Sequence, residues 1–432
     1  MFALYPDQAK IVRCSTCRPK NIKEDIMIYA DRMITVRGSV IRDVATEIAS
    51  RNNPNLIKLS GGLPDENLFP MKELQEAAET VFNNPELYME SLQYGLTRGD
   101  TELLDLLAER LNRLESMKIT PNNMLIVTGC QQGISLCATA LVNIGDTILI
   151  EKPSYLDGLN AMLPYEPNIV GVDTDEHGIR IDALKAAIEA NPNTKIVYVI
   201  PNFQNPTGKA WPLEKREEFL EFMSQPQYKH IAILEDNPYG EVRFRGEHVP
   251  CLKSLDKTGQ VVYLGSFSKI LAPGLRIAYV VSDDTHFIDR LEEIKEGADL
   301  QSNQFTQVHV REYLKANDID AHVQKICMNY KKRCDALVEI MGKEFPTGVT
   351  FTVPDGGMFL YVTCPENFDT GKMLKDALDA EVSYIPGASF NADGSGKNTM
   401  RLNFTANDIP KLQEGVRRLA GVFKAEMAKQ GM

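Results

Sequence analysis

The chain of 432 residues has no apolar run near the roughly 18 residues that a membrane-spanning helix needs. Its N-terminal stretch lacks the apolar core and the small-residue cleavage site of a signal peptide, and Asp7, Glu24 and Asp25 argue against a transit peptide. Cysteine is also scarce, since eight cysteines are scattered along the chain, which argues against a disulfide framework. We therefore expect a reduced, cytoplasmic protein with no membrane association.

Basic residues are also fewer than acidic residues. The 47 Lys and Arg residues face 59 Asp and Glu residues, a net charge of -12, which argues against broad binding of nucleic acid or anionic lipid. A small basic pocket for one anion remains compatible with this balance. Cys14 and Cys17 form a C-x-x-C motif without a second such motif or a nearby histidine pair. We therefore expect no metal site, and keep redox or metal binding at this pair as an alternative.

The composition that remains is typical of a soluble globular protein, with 43% hydrophobic and 25% charged residues. From about residue 71, helical patterns alternate with short β-branched apolar runs, which are typical of strands buried on both faces of a sheet. This alternation predicts an α/β architecture with a mostly parallel sheet. The runs lie at 124–129, 147–151, 168–172, 195–200, 231–236, 261–266 and 277–282.

The pattern changes after about residue 286. Two long helical segments, about 286–315 and 318–342, precede three strand-like runs and a final helix over about 408–428, with Asn407 or Asp408 as its N-cap. This change predicts a second, α+β domain, with which the segment 30–69 should pack. We expect an N-terminal segment 1–35, a first part of the small domain 36–70, a large domain 71–305 and a small C-terminal domain 306–432.

Candidate ligand-binding residues follow the predicted strands, where ligands of α/β sheets bind. After the first strand, Gly129, Cys130 and Gln131 begin a helix and could present backbone N–H groups to a phosphate, although no P-loop lysine follows. The motif N-P-T-G begins at Asn205 after another strand, and D-x-x-Y begins at Asp236 after the next. Each motif taken alone also fits an ordinary turn.

The last of these motifs places a lysine among apolar neighbours. Ser266 and Ser268 precede Lys269, and Arg276 follows within the same turn region. Poor solvation should lower the pKa of Lys269 below the about 10.4 of a free side chain, as an imine-forming amine requires. A lysine that extends into solvent from a helix start is the alternative for an isolated S-x-S-K.

Taken in chain order, these motifs resemble those of pyridoxal-phosphate-dependent aminotransferases of fold type I, nearest the 2-aminoadipate, kynurenine and aromatic aminotransferase branch. The resemblance covers roughly residues 35–428. It implies an α/β fold whose large domain holds a mostly parallel seven-stranded sheet between helices, a smaller α+β domain, and a homodimer. Further matching motifs are LSGGLP at 59–64, LQYG at 92–95, PSY at 153–155, PDGGMF at 354–359, PG at 386–387 and MRLNF at 400–404.

The resemblance also implies roles for individual residues. Lys269 would hold the cofactor covalently and then act as general acid and base, and Asp236 would keep the pyridine nitrogen protonated. Asn205 and Tyr239 would hydrogen-bond the ring's phenolic oxygen, and Tyr155 would stack on the ring. The catalytic set is then Lys269, Asp236 and Tyr239. The phosphate would be held by Gly129, Cys130, Gln131, Ser266, Ser268, Arg276 and Tyr94 of the neighbouring subunit, and the substrate by Gly62, Asn205 and Arg401.

Two positions depart from the family pattern. Cys130 stands where a small hydroxyl residue is common, which weakens a side-chain contact to phosphate, and Asn391 stands where an aromatic residue is common. The second departure leaves the pocket for the substrate side chain undefined.

The expected activity is a ping-pong transfer of the amino group of an L-amino acid, aromatic or 2-aminoadipate-like, to a 2-oxo acid such as 2-oxoglutarate. The same scaffold supports β-lyases, cyclases and oxidases, so these alternatives stay open. A pyridoxal-phosphate-binding transcriptional regulator is a further alternative. About 35 residues precede the matched region, too few for a winged-helix module, and no basic patch is visible.

Overall fold

The computed structural model describes residues 29–34, 36, 38 and 40–431, so the Cys14 and Cys17 pair lies outside the described residues. The α-helices, in chain order, are α1 (Val40–Ser50), α2 (Met71–Asn83), α3 (Pro85–Leu92), α4 (Thr101–Glu115), α5 (Cys130–Leu141), α6 (Leu156–Leu159), α7 (Ile181–Ala190), α8 (Leu213–Met223), α9 (Leu252–Leu255), α10 (Thr285–Asp299), α11 (Gln304–Ala316), α12 (Ile319–Glu344), α13 (Thr370–Asp379) and α14 (Ile409–Lys429). The β-strands are β1 (Ile57–Lys58), β2 (Met124–Val127), β3 (Thr147–Lys152), β4 (Asn168–Asp175), β5 (Gly178–Ile179), β6 (Thr194–Val199), β7 (Ala232–Asp236), β8 (Val261–Ser266), β9 (Ala278–Val281), β10 (Thr350–Phe351), β11 (Phe359–Thr363), β12 (Val382–Ser383), β13 (Ile385–Pro386) and β14 (Thr399–Asn403).

The large sheet has the strand order β2-β9-β8-β7-β6-β3-β4-β5. The five strands from β8 to β4 are parallel, whereas β9 runs antiparallel to both of its neighbours and β5 antiparallel to β4. The predicted count of seven strands is therefore one short among the described residues. The additional strand, β5, has two residues and returns from β4 through a turn, and two residues are too few to produce a periodic sequence signal.

Alternate residues of the parallel strands are buried on opposite faces of the large sheet. In β6, Ile196 and Tyr198 join the apolar cluster on one face, and Val197 and Val199 join the cluster on the other. This follows from the two-residue period of a strand. Helices α5 and α10 supply one cluster and helices α7 and α8 the other, so the sheet lies between two helical layers.

A second sheet forms from the C-terminal part of the chain, with the antiparallel order β10-β11-β14-β13. The segment before residue 70 packs with it as predicted, since β1 pairs in parallel with β12 and the N–H of Asn403 donates to the carbonyl of Leu59 at 2.8 Å. The final helix, α14, begins after Asp408, whose side chain accepts a hydrogen bond from the N–H of Lys411.

The prediction of one long helix over about 286–315 is wrong. The chain leaves α10 at Leu300, which has a φ of +66°, and begins α11 after Asn303, whose side chain accepts from the N–H of Thr306. An asparagine that caps a new helix competes with continuation of the preceding one. Among the described residues, no helix combines the length and the apolar character that a membrane crossing requires.

Candidate active site

The sequence motifs meet at one edge of the large sheet. Strands β6, β7 and β8 are parallel, so the turns that follow them share an edge. Strand β2 also ends there, because β9 reverses the direction between β8 and β2. This topology brings together Asn205, Asp236, Ser266 and the start of α5, as ligand sites of α/β sheets require.

Lys269 lies just beyond β8, with its side chain only partly accessible. Its Nζ donates a hydrogen bond to the carbonyl of Gly62 at 3.0 Å, so the LSGGLP motif also reaches the site. Burial, and then the positive charge of Arg401, lower the pKa of Lys269 to about 8. The predicted direction of this shift is confirmed, and the amine is much more often unprotonated near neutral pH than a free lysine.

Asp236 ends β7 and is 2% exposed. Its Oδ2 accepts a hydrogen bond from the hydroxyl of Tyr198 at 2.7 Å, whereas its buried Oδ1 has no partner among the described residues. Burial raises the pKa of Asp236 to about 6, and hydrogen bonding by Tyr198 and Cys130 opposes that rise. A buried carboxylate oxygen without a donor is costly, so Oδ1 suits a ligand N–H group.

Tyr198 belongs to the site but was not predicted from the sequence. It lies within an apolar run, where its ring resembles any other buried residue. The available signal was its hydroxyl, because a buried tyrosine O–H usually finds a partner.

Arg401 lies in β14 and is 1% exposed. Its Nη1 donates to Oδ1 of Asn205 at 2.9 Å and its Nη2 to the carbonyl of Ser60 at 3.0 Å, while its Nε has no partner among the described residues. The guanidinium carbon lies 4.1 Å from the ring centroid of Phe359 and 5.2 Å from that of Phe390.

No carboxylate hydrogen-bonds to Arg401 among the described residues, and burial lowers its pKa to about 10, although the more distant charge of Asp157 opposes that shift. A buried cation without a counter-ion is costly unless a ligand supplies the negative charge. The arrangement therefore suits an anionic ligand, and a carboxylate matches the guanidinium fork.

A second anion-binding element forms where α5 begins. Gly129 caps the helix with a φ of +131°, and a Cβ at this position would clash with Nη2 of Arg276. The guanidinium of Arg276 therefore lies against the helix start, whose first N–H groups have no partner within the helix. The Oγ of Ser266 accepts from the N–H of Ser268 at 3.0 Å and donates to its Oγ at 2.9 Å. A helix N-terminus with an arginine and hydroxyl groups favours a phosphate.

An open cavity of about 660 Å³ adjoins this element, and Gln131 and Arg276 are among its lining residues. Gln131 donates from its Nε2 to the carbonyl of Asp157 at 2.8 Å, which holds α6 against α5. Burial, and then the neighbouring Asp236 carboxylate, raise the pKa of the Cys130 thiol. The Cys130 side chain is therefore a neutral neighbour of Asp236.

The side chain of Asn391 hydrogen-bonds within its own segment, with its Nδ2 donating to the carbonyl of Gly387 at 3.0 Å.

Three predicted tyrosines differ in placement. Tyr239 is buried and meets Phe359 edge to face, with ring centroids 5.7 Å apart. Tyr155 lies over Gly158, and burial raises its pKa to about 12. Burial raises the pKa of Tyr239 as well, so both phenols stay neutral near pH 7. Tyr94 stands apart, since its side chain is 77% exposed.

Residues 54–419 match the family model of aminotransferase class I and II. The chain belongs to this family. It is 38% identical over 405 residues to an aromatic-amino-acid aminotransferase of Thermococcus litoralis, an alignment that covers 93% of this chain and 95% of that protein. The protein described here is therefore an aminotransferase, which moves amino groups between amino acids and 2-oxo acids.

Two solved structures share its fold over nearly the whole chain. A multiple substrate aminotransferase from Thermococcus profundus superposes with a TM-score of 0.86 at 36% identity, covering 93% of this chain and 98% of that one. The alpha-aminoadipate aminotransferase of Thermus thermophilus, complexed with N-(5'-phosphopyridoxyl)-L-leucine, has a TM-score of 0.84 at 31% identity, with the same coverage of 93% and 98%. The predicted fold type I architecture is confirmed.

Proposed function

We propose that this aminotransferase binds pyridoxal 5'-phosphate at the edge where β2, β6, β7 and β8 end. Two unsatisfied buried atoms, Oδ1 of Asp236 and Nε of Arg401, carry the proposal. A protonated pyridine nitrogen offers the N–H donor that Oδ1 of Asp236 lacks. A substrate carboxylate offers the negative counter-ion that Arg401 lacks. The Thermus thermophilus relative, which is complexed with a phosphopyridoxyl amino acid, supports the same assignment.

The phosphate group would lie at the start of α5. Backbone N–H groups of Cys130 and Gln131, the hydroxyls of Ser266 and Ser268, and the guanidinium of Arg276 form the cradle. The ring would lie beside Tyr155, with Asn205 and Tyr239 near its phenolic oxygen.

In the proposed mechanism, the amine of Lys269 would hold the cofactor, and the same amine would carry the proton to and from the substrate Cα. Its pKa of about 8 suits both steps near neutral pH. When bound, the cofactor supplies an electron sink for negative charge at Cα. Asp236, with a pKa of about 6, is mostly ionised above neutral pH and so favours a protonated ring nitrogen. Arg401 binds the α-carboxylate, and Asn205 orients its guanidinium.

We propose an aromatic or 2-aminoadipate-like L-amino acid as donor and 2-oxoglutarate as acceptor. The aromatic-amino-acid aminotransferase of Thermococcus litoralis and the alpha-aminoadipate aminotransferase of Thermus thermophilus support this choice of donor. In the test, purified holoenzyme is mixed with each amino acid in turn, and loss of the cofactor's resting absorbance is recorded.

The same experiment separates transamination from other chemistry. Without a 2-oxo acid, a transaminase stops after one equivalent of oxo acid per active site. A β-lyase, cyclase or oxidase turns over repeatedly under those conditions, and that outcome would reject the proposal.

We propose further that the enzyme is a homodimer in which Tyr94 reaches the phosphate of the neighbouring subunit. Exposed apolar side chains lie near this tyrosine in the sequence, since Met89 is 69%, Leu92 67% and Leu96 63% exposed. Exposed apolar side chains favour an interface, and closed two-fold symmetry arranges a reciprocal contact most simply. The side chain of Gln301 accepts from the N–H of Gly95 and holds the loop in place. An active monomer in sedimentation would contradict the proposal.

We propose that the large domain runs from residue 71 to the end of α11, because the boundary at 305/306 falls inside that helix and α11 packs on α2, α3 and α4. The remaining boundaries stay as predicted. A cytoplasmic location is supported by the free thiols of all the described cysteines.

A further inference from the structure

The hydroxyl of Tyr198 donates a hydrogen bond directly to the Asp236 carboxylate. Tyr198 is fully buried in β6, and its O–H donates to Oδ2 of Asp236 at 2.7 Å. The parallel register pairs Tyr198 with Leu234 of β7, two residues before Asp236. Two residues along a strand return to the same face, so Tyr198 and Asp236 lie on one face of the sheet.

This contact makes the two carboxylate oxygens different. Oδ2 is occupied by Tyr198, and Oδ1 is buried without a partner among the described residues. A carboxylate held by one oxygen has a defined plane, so its second oxygen points in a defined direction. The Cys130 thiol on α5 also lies beside this carboxylate, and it is a weak donor.

We propose that Tyr198 is a positioning residue that holds Asp236 so that Oδ1 faces the pyridine nitrogen of the cofactor. The inference rests on the proposed function, which places that nitrogen at Asp236. Hydrogen bonding to the ionised carboxylate also favours its charged form. Without the hydroxyl, Asp236 becomes a stronger base and draws the proton away from the ring nitrogen.

The alternative is that Tyr198 only fills the core and that its hydroxyl takes the nearest acceptor. Tyr263 provides a matched control for this alternative. It is buried in strand β8, on the other side of β7 from β6, and its hydroxyl accepts from Nδ2 of Asn237 at 3.0 Å. Tyr198→Phe and Tyr263→Phe each remove one buried hydroxyl from the same sheet, but the second hydroxyl does not contact Asp236.

The test uses holoenzyme reconstituted with pyridoxal phosphate that carries ¹⁵N in the ring. Nitrogen NMR then reports the protonation of the ring nitrogen without any need for turnover. In Tyr198→Phe we expect the resonance to move toward that of an unprotonated pyridine, and the Kd of the cofactor to rise about 10-fold or more, as for a lost hydrogen bond to a charged group. We expect kcat to fall while the KM for the amino acid changes little. Tyr263→Phe should leave the resonance in place.

The outcomes separate this inference from the proposed function. An unchanged resonance in Tyr198→Phe, with a shifted one in Asp236→Asn, would overturn the positioning role and leave the function of Asp236 intact. An unchanged resonance in Asp236→Asn would reject the function of Asp236 and the inference with it. Equal shifts in both tyrosine variants would show a general packing effect and also overturn the inference. Tyr198→Met, which fills the space flexibly, provides a second variant if Tyr198→Phe does not fold.

Discussion

Replacing Arg401 by lysine should weaken substrate binding while cofactor binding stays intact. The guanidinium makes hydrogen bonds to Asn205 and Ser60 and stacks 4.1 Å from the ring centroid of Phe359. A lysine ammonium keeps the charge but cannot bind a carboxylate through two parallel N–H groups, nor stack as a plane. Oδ1 of Asn205 would also lose its buried donor.

The expected increase in KM follows from the loss of the two-pronged hydrogen bond between Arg401 and the substrate carboxylate. A hydrogen bond to a charged group contributes about 1.5–3 kcal/mol, so KM should rise by roughly 10- to 150-fold. The increase should appear for the amino acid and for the 2-oxo acid alike, because both present the same carboxylate. Cofactor absorbance and Kd should hardly change, since the phosphate cradle lies at the start of α5.

The assay measures KM and kcat in both half-reactions for the wild type, Arg401→Lys and a control. Arg243→Lys is a suitable control, since Arg243 also stacks over an aromatic ring, that of Phe203 at 4.8 Å, and is not among the proposed site residues. Normal KM values in Arg401→Lys would show that Arg401 is a structural cation. An increase confined to one of the two substrates would likewise refute a shared carboxylate site.

Three further predictions concern Lys269 and Cys130. Borohydride reduction of the holoenzyme should leave a covalent pyridoxyl adduct on Lys269, detected by peptide mass spectrometry, and an adduct on another lysine would reject the assignment. The Lys269→Ala variant should still bind cofactor but lose nearly all turnover. Because burial lowers the pKa of Lys269 from 10.5 to about 8, the unfolded apoprotein binds more protons between these values, so this residue adds stability as pH rises from about 8 to 10.5. Lys269→Met should therefore raise the melting temperature of apoprotein at pH 7, and the gain should shrink above pH 8; a gain independent of pH would contradict the burial argument. Cys130→Ser restores a hydroxyl beside the phosphate cradle, so cofactor dissociation should slow in a fluorescence assay, and an unchanged rate would show that this side chain does not reach the phosphate.

The positions of the main strands could be predicted from the sequence alone. Their apolar runs are continuous because both faces of the parallel strands are buried, and this burial leaves a direct signal in composition. The break between α10 and α11 left a weaker signal. Leu300 adopts a positive φ there, and a single apolar residue in the sequence does not reveal such a backbone conformation.

The order of motifs along the chain also determined much of the site. Parallel strands end at a common edge, so Asn205, Asp236 and Lys269 had to meet once each was assigned to a strand end. The low solvation of Lys269 followed from its apolar neighbours, and the direction of its pKa shift is confirmed.

Only the tertiary structure decided which polar atoms are left without partners. Arg401 meets Asn205 across 196 positions of sequence and finds no carboxylate among the described residues, and Tyr198 takes one oxygen of Asp236 and leaves the other bare. Burial and hydrogen-bond satisfaction depend on groups from several distant segments at once. Local sequence therefore indicates which residues take part in the site. Their charges and orientations are set by the groups that surround them in the folded structure, which come from several distant segments.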